Sequence, residues 1–337
     1  MSSVADRIAP FEDLASGLAD GRGVPQIGRR AEHDRLRAAG ARDLAWGRLY
    51  EGHVNALQLI ARCGTDRQRE RAAADVAAGR LFAVWNTQAD DAVTIASAGE
   101  RGVTLAGAKT FASGAGRVAR AIVTARRSDG AVQMTLVPMD RVRVAIDPTF
   151  WRPYGMEASD SFAVDFTGVR LEPDDLIGAP DAYERMPWFG AGASRFVAVQ
   201  TGAIDQLTRD LAAFLRRRGQ HDDPLALERL GECAVGARAA SLWTDACADA
   251  WTRYDATPSD ANEAALRDVV DAARYAVERI ALDVCERVER GAGARGLLET
   301  EPFARRLRDL RMYLRQPAID ATLLRVARAA IAPDPII

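Results

Sequence analysis

The spacing of apolar residues changes twice along this chain, and that limits the folds open to it more than any other feature. Up to about residue 80 the spacing is helical: loosely over Ala5–Leu18, then over Ala31–Ala39, Leu49–Ala61 and Asp66–Ala78. Breaks fall at Gly21-Arg-Gly-Val-Pro25 and at Gly79. After Arg80 the runs shorten and fill with β-branched and aromatic residues: Leu81–Trp85, Val103–Leu105, Ala121–Thr124, Gln133–Val137 and Phe162–Phe166. Past Ala182, long amphipathic stretches return over Ser194–Arg218, Pro224–Tyr254, Asp260–Arg290, Pro302–Leu314 and Pro317–Ile331. The expectation is an α+β chain in three parts. These are an N-terminal helical region (1–80), a central antiparallel β-sandwich or barrel (81–182) and a C-terminal up-and-down helical bundle (183–337).

Composition narrows the partners. With 337 residues, 48% of them hydrophobic, the chain supports more than one core. Its net charge of -2 gives no pull toward nucleic acid or an anionic membrane, and Arg216-Arg217-Arg218 reads as a solvated helix end. Cys63, Cys233, Cys247 and Cys285 lack CxxC spacing, which suits packed thiols in a reducing compartment. His33, His53 and His221 form no metal-ligand motif, so no metal is expected. Asp6, Glu12 and Asp13 stand where a signal segment would be apolar, and the expected location is the cytoplasm.

The sharpest local text is Gly107-Ala-Lys109-Thr-Phe111-Ala-Ser113-Gly114, a strand ending in a hydroxyl and glycines. Such an end lets a flat ligand approach the backbone, or simply turns the chain. Lys109 is the only lysine present.

This stretch resembles the G-x-K-x-[FW]-[IA]-[TS] pattern of the acyl-CoA dehydrogenase family. The resemblance implies FAD, with Phe111 packing on the flavin ring and Ser113 near its reactive nitrogen. It extends to Phe82–Thr87, where Thr87 is implied to contact flavin, and to Tyr154–Ser161, Phe166–Pro173 and Leu176–Gly178. Arg195–Gly202 is similar to the first bundle helix, and Arg308-Asp309 to an Arg-Asp pair near the last helices. Gly291-Ala-Gly293-Ala-Arg295-Gly296 is similar to a glycine-rich turn that meets the flavin dinucleotide of a neighbouring subunit. Read alone, it is an interhelical loop. Arg218-Gly-Gln-His221 stands where the family has R-x-x-F-G, whose arginine contacts the partner's flavin. The family implies a homodimer or homotetramer, and its N-terminal helical region is longer than the one here.

Acyl-CoA dehydrogenation needs a carboxylate base, which the family places just before the last helix. Here Pro317 is expected to open that helix, which puts Gln316 at the carboxylate position, and an amide is no base. An alternative family position, the start of the first bundle helix, holds Ser194. Asp320, one turn inside the last helix, is the nearest acid, either as a relocated base or as a residue favoured by the helix dipole. The loop Gln88–Ala92 is contracted and lacks the family's thioester-holding text. Three readings follow. The main one is α,β-dehydrogenation of an acyl-CoA or other acyl thioester. The alternatives are a flavin-dependent monooxygenase of the same fold and a non-catalytic member whose Trp85, Trp151 and Trp188 line an apolar pocket or pack the core.

Overall fold

The computed structural model describes residues 28–331 apart from 88, 100–101, 299 and 316–317. The expected helix Ala5–Leu18 lies outside the described residues. Three helices come first: α1 (Gly28–Arg42), α2 (Leu44–Cys63) and α3 (Asp66–Ala77). Thr65 and Gln68 close α3 with a reciprocal capping box, and Gly79, at positive φ, turns the chain out of it.

Ten strands follow: β1 (Phe82–Trp85), β2 (Thr94–Gly99), β3 (Gly102–Ala106), β4 (Ala108–Ala112), β5 (Arg120–Arg126), β6 (Val132–Pro138), β7 (Ala145–Asp147), β8 (Phe162–Asp165), β9 (Arg170–Leu171) and β10 (Leu176–Ile177). They form two sheets. One has the order β10-β6-β5-β2-β3-β9 with β1 beside β5, and the other the order β4-β8-β7. The β region was expected to be antiparallel throughout, but β1 runs parallel to β5, Phe82 opposite Arg120 and Trp85 opposite Val123. β5 is covered on both faces, with Ala121, Ile122, Val123 and Ala125 all buried, so its text is a continuous apolar run. β4 is the strand expected within Gly107–Gly114, although its text, Ala-Lys-Thr-Phe-Ala, lacks apolar alternation.

The bundle comprises α4 (Ser194–Arg217), α5 (Pro224–Ala256), α6 (Asp260–Gly296), α7 (Pro302–Tyr313) and α8 (Ile319–Ala330). Their starts follow simple chemistry. Asp223 caps α5 ahead of Pro224, Ser259 caps α6 through the Asn262 amide, and Pro302 opens α7. On α6, Leu266, Val270, Ala273, Val277, Ala281, Val284 and Val288 are all buried, a seam at spacings of three and four. Cys233, Cys247 and Cys285 are buried free thiols. α8 runs from Ile319 and follows Ala318 in a left-handed conformation (φ 62°); the expected opening at Pro317 lies outside the described residues. One expectation changes here. The Gly291–Gly296 text is no loop. α6 continues through it with a kink at Gly293, whose φ of 60° and ψ of -170° leave the helical region.

The described residues fall into two compact units: residues 28, 49–152 and 159–189, and residues 29–48, 153–158 and 190–331. In the second unit α1 meets α4 backbone to backbone. A Cβ at Gly40 would stand 2.0 Å from the Val199 carbonyl oxygen, and one at Gly202 would stand 1.9 Å from that of Arg37. Arg37 crosses the same contact to Asp205 (2.5 Å) and to the Ser241 hydroxyl (2.8 Å). Gly202→Ala is therefore expected to cost about 3 kcal/mol by forcing backbone apart from backbone. Urea denaturation of the full chain checks this; a loss within ~0.5 kcal/mol would mean the two helices separate freely.

Candidate functional site

In the first unit the features gather along β4 and the end of β1. The β4–β8 register shifts between Lys109 and Ala112, so the alternation of side chains breaks at that point. Phe111 sits in the break with φ 53°, a region that costs an aromatic residue roughly 1–3 kcal/mol. The strain turns its ring outward. Phe111 is 47% exposed and meets Phe150 (5.2 Å between centroids) and Trp151 (5.9 Å) edge to face. The result is an aromatic shelf.

Beside the shelf the Ser113 hydroxyl is buried and shares a 2.9 Å hydrogen bond with Ser161, which shares another of 2.8 Å with Ser159. Trp85 donates its indole N–H to the Ser113 carbonyl at 3.0 Å and packs against Phe166 as core. Trp188 lies under the Arg62 guanidinium, 3.3 Å from its ring centroid. Thr87 is exposed just beyond β1, and its carbonyl accepts the Thr110 N–H at 3.3 Å. Thr87, Phe111 and Ser113 thus share one stretch of strand ends.

Lys109 holds that stretch from behind. Its fully buried amine donates to the Asn86 carbonyl (3.2 Å) and to the Thr124 hydroxyl (2.9 Å), which in turn donates to the Asn86 side-chain oxygen at 2.7 Å. Burial lowers the amine to about 7.

In the second unit the expected residues separate into two groups. Arg218 caps α4 and is exposed. Gly291 packs on Leu211 of α4, and Gly293 and Arg295 are exposed at the same end of α6. Asp320 stands elsewhere, exposed in the first turn of α8. α8 is tied to α6 at Arg274, whose guanidinium donates to the Thr322 hydroxyl at 3.1 Å. Arg274 and Gly291 are seventeen residues apart on α6, about 25 Å along a helix. Gln316 lies outside the described residues.

Phe196, Gln200, Arg274, Glu278, Leu314 and Ile319 line a shallow recess open to solvent, whose space of about 10 Å³ is water-sized. The sequence reading missed all six. Asp271, Arg274 and Glu278 share one face of α6 by their spacing, and only the packing of α4 and α8 around that face reveals a concave surface. Asp309, the acid of the Arg308-Asp309 pair, is buried and accepts the Met156 N–H at 2.6 Å, which anchors residues 153–158 to α7. Burial pushes its carboxyl above the usual range. Among the described residues no cluster of three or more His, Cys, Asp or Glu could hold a metal, and no helix is long and apolar enough to cross a membrane.

Comparison with known proteins agrees with this architecture. Residues 195–315 match the family model for the acyl-CoA dehydrogenase C-terminal domain. A dibenzothiophene monooxygenase of Rhodococcus qingshengii is 26% identical over 312 residues, covering 82% of this chain and 74% of that protein. TdsC from Paenibacillus sp. A11-2, solved with FMN and indole, superposes with a TM-score of 0.79 at 20% identity, over 96% of this chain and 98% of TdsC. KijD3, solved with FMN and a dTDP-linked amino keto sugar, gives 0.81 at 19% identity, over 98% and 87%. The fold is that of the acyl-CoA dehydrogenase-like flavin enzymes.

The pH dependence of folding tests the Lys109 arrangement. The unfolded chain holds this proton up to about 10.5 and the folded chain only to about 7, so between those values the unfolded state binds more protons. Stability gained from the neutral amine is complete above 10.5 and is lost as pH falls through 7. Guanidinium denaturation of wild type and Lys109→Met across this window should show a rising stability in wild type, by a few kcal/mol at most, that is flatter in the variant. Parallel curves would place the amine in solvent.

Proposed function

We propose that this chain is an enzyme, a flavin-dependent monooxygenase that acts on a small organic molecule and uses FMN rather than FAD. The observation that carries the reading is an aromatic shelf, in a chain whose carboxylates near the last helices are either exposed or already paired. Asp320 faces solvent, Glu278 is held by Arg315, and Asp271 accepts two hydrogen bonds from Arg325. The junction itself carries Gln316, which cannot take a proton from carbon. Dehydrogenation needs that base and oxygenation does not. The likeness to dibenzothiophene monooxygenases, and the FMN in TdsC and KijD3, support the same reading.

The residues present suit a flavin. Phe111 offers an exposed ring for a flat heterocycle, next to Thr87 and Ser113. When bound in reduced form, flavin supplies the two electrons by which one atom of O2 enters the substrate and the other leaves as water. The chain's part is to bind and to exclude solvent. Lys109 and Thr124 fix Asn86 and so the strand end that carries Thr87. FMN has no pyrophosphate, so Arg218, Gly291, Gly293 and Arg295 need contact none. We keep a cytoplasmic homodimer or homotetramer as the proposed assembly.

The test is direct. The purified chain should bind reduced FMN, and on admission of labelled O2 it should transfer one labelled atom to an indole or aryl thioether. Phe111→Ala should weaken FMN binding about tenfold, measured by fluorescence titration. Anaerobic bleaching of bound flavin by an acyl-CoA, with no oxygen transfer, would sink the reading in favour of dehydrogenation.

A further inference from the structure

Three buried serine hydroxyls form a chain that begins beside the aromatic shelf. Ser113 meets Ser161 at 2.9 Å, and Ser161 meets Ser159 at 2.8 Å. The two arms that carry them are also joined through their backbones. The Gly114 N–H is given to the Ser159 carbonyl at 2.8 Å, and the Ala115 N–H to the Asp160 carbonyl at 3.2 Å. Each arm holds a residue other than glycine at positive φ, Phe111 at 53° and Asp160 at 44°. Arg117 pairs with Asp160 at 2.5 Å and steadies the second arm. Conformations of this kind persist where the surroundings fix them, and they gather at ligand sites.

The sense of the chain follows from counting protons. A hydroxyl carries one proton and can accept two hydrogen bonds. Two hydrogen bonds among three hydroxyls use two protons and leave one over. Among the described residues nothing else meets the Ser159 or the Ser161 hydroxyl, and these residues are 1% and 4% exposed. A proton left at either would be a buried donor with no acceptor, which is costly. Ser113, at 6%, is the most exposed of the three, and its amide bonds the Phe111 carbonyl at 2.9 Å, two residues from the exposed ring. Ser159 therefore donates to Ser161, Ser161 donates to Ser113, and the spare proton is Ser113's.

We propose that Ser161, backed by Ser159, is a positioning residue: it fixes the Ser113 hydroxyl as a donor toward an acceptor atom of the ligand on the shelf. Each donated bond polarises the next, so Ser113 donates more strongly than a lone serine. The inference rests on the flavin part of the proposed function, which makes that ligand FMN. It is indifferent to the reaction that follows.

Fluorescence titration of oxidised FMN with the full chain tests it, comparing wild type with Ser113→Ala, Ser161→Ala and the double variant. Ser113→Ala should weaken FMN binding about tenfold and Ser161→Ala about threefold. The double variant should bind no more weakly than Ser113→Ala, because Ser161 acts only through Ser113. Ser161→Thr, which keeps the hydroxyl, should restore the affinity. Ser159→Ala should weaken binding about twofold, with no further effect beside Ser113→Ala, and serves where Ser161→Ala fails to fold. Losses that multiply in the double variant would mean that Ser161 only packs, and would overturn the proposal. Unchanged or tighter FMN binding by Ser161→Ala would overturn it too, since a chain of the opposite sense holds the Ser113 proton away from the ligand. No FMN binding by wild type would remove the flavin reading and this proposal together; FMN binding without oxygen transfer would sink the monooxygenase reading alone.

Discussion

The backbone contact between α1 and α4 sets the geometry of the second unit. Two helices carrying ordinary side chains pack with axes 8–10 Å apart, and a Cβ at Gly40 or Gly202 would fall within 2.0 Å of a facing carbonyl oxygen. Only glycine allows this approach, and Arg37 locks it by bonding to Asp205 and Ser241 at once. The consequence reaches the recess. Val199 and Gly202 face α1, so Phe196 and Gln200 are carried roughly 100° round α4, toward α6 and the start of α8. The wall opposite Arg274 is thus placed by two glycines that make no contact with it.

The first unit depends on a different economy. Its aromatic shelf exists because β4 breaks register between Lys109 and Ala112, leaving Phe111 in a conformation that an aromatic residue resists. Strain of that size persists only where the surroundings overdetermine it. Here the surroundings are explicit: the amine of Lys109 is tied beneath the strand, Ser113 is tied to Ser161, and the Gly114 N–H is given to the Ser159 carbonyl at 2.8 Å. Three positions flanking the released ring are thus held in place.

Much of this was legible in the text. The bundle helices α5, α6 and α7 begin at the residues their caps and prolines announce, because a cap is a local interaction and needs no partner from elsewhere. What escaped depended on residues distant in sequence. The parallel pairing of β1 with β5 joins segments about forty residues apart, and period-two alternation carries no sign of strand direction. Gly291–Gly296 reads as a turn because glycine permits one, yet packing on Leu211 and Phe303 carries the helix through it with one kink. Arg274 and Glu278 were invisible for the plainest reason: a charged residue at helical spacing looks solvated until another helix is laid over it.

The two units also divide the chemistry unequally. The shelf in the first is built from groups that do not change charge near neutral pH, apart from one buried amine that faces inward. The recess in the second concentrates charge, and its carboxylates are committed to arginines. A reaction that begins by taking a proton from carbon would need one of those carboxylates released, at the cost of leaving a guanidinium behind with no anion. A reaction that adds oxygen to an electron-rich atom asks only for a dry wall, a held substrate and a bound reductant. The ion pairs around α6 therefore bias this fold away from proton abstraction before any substrate is considered.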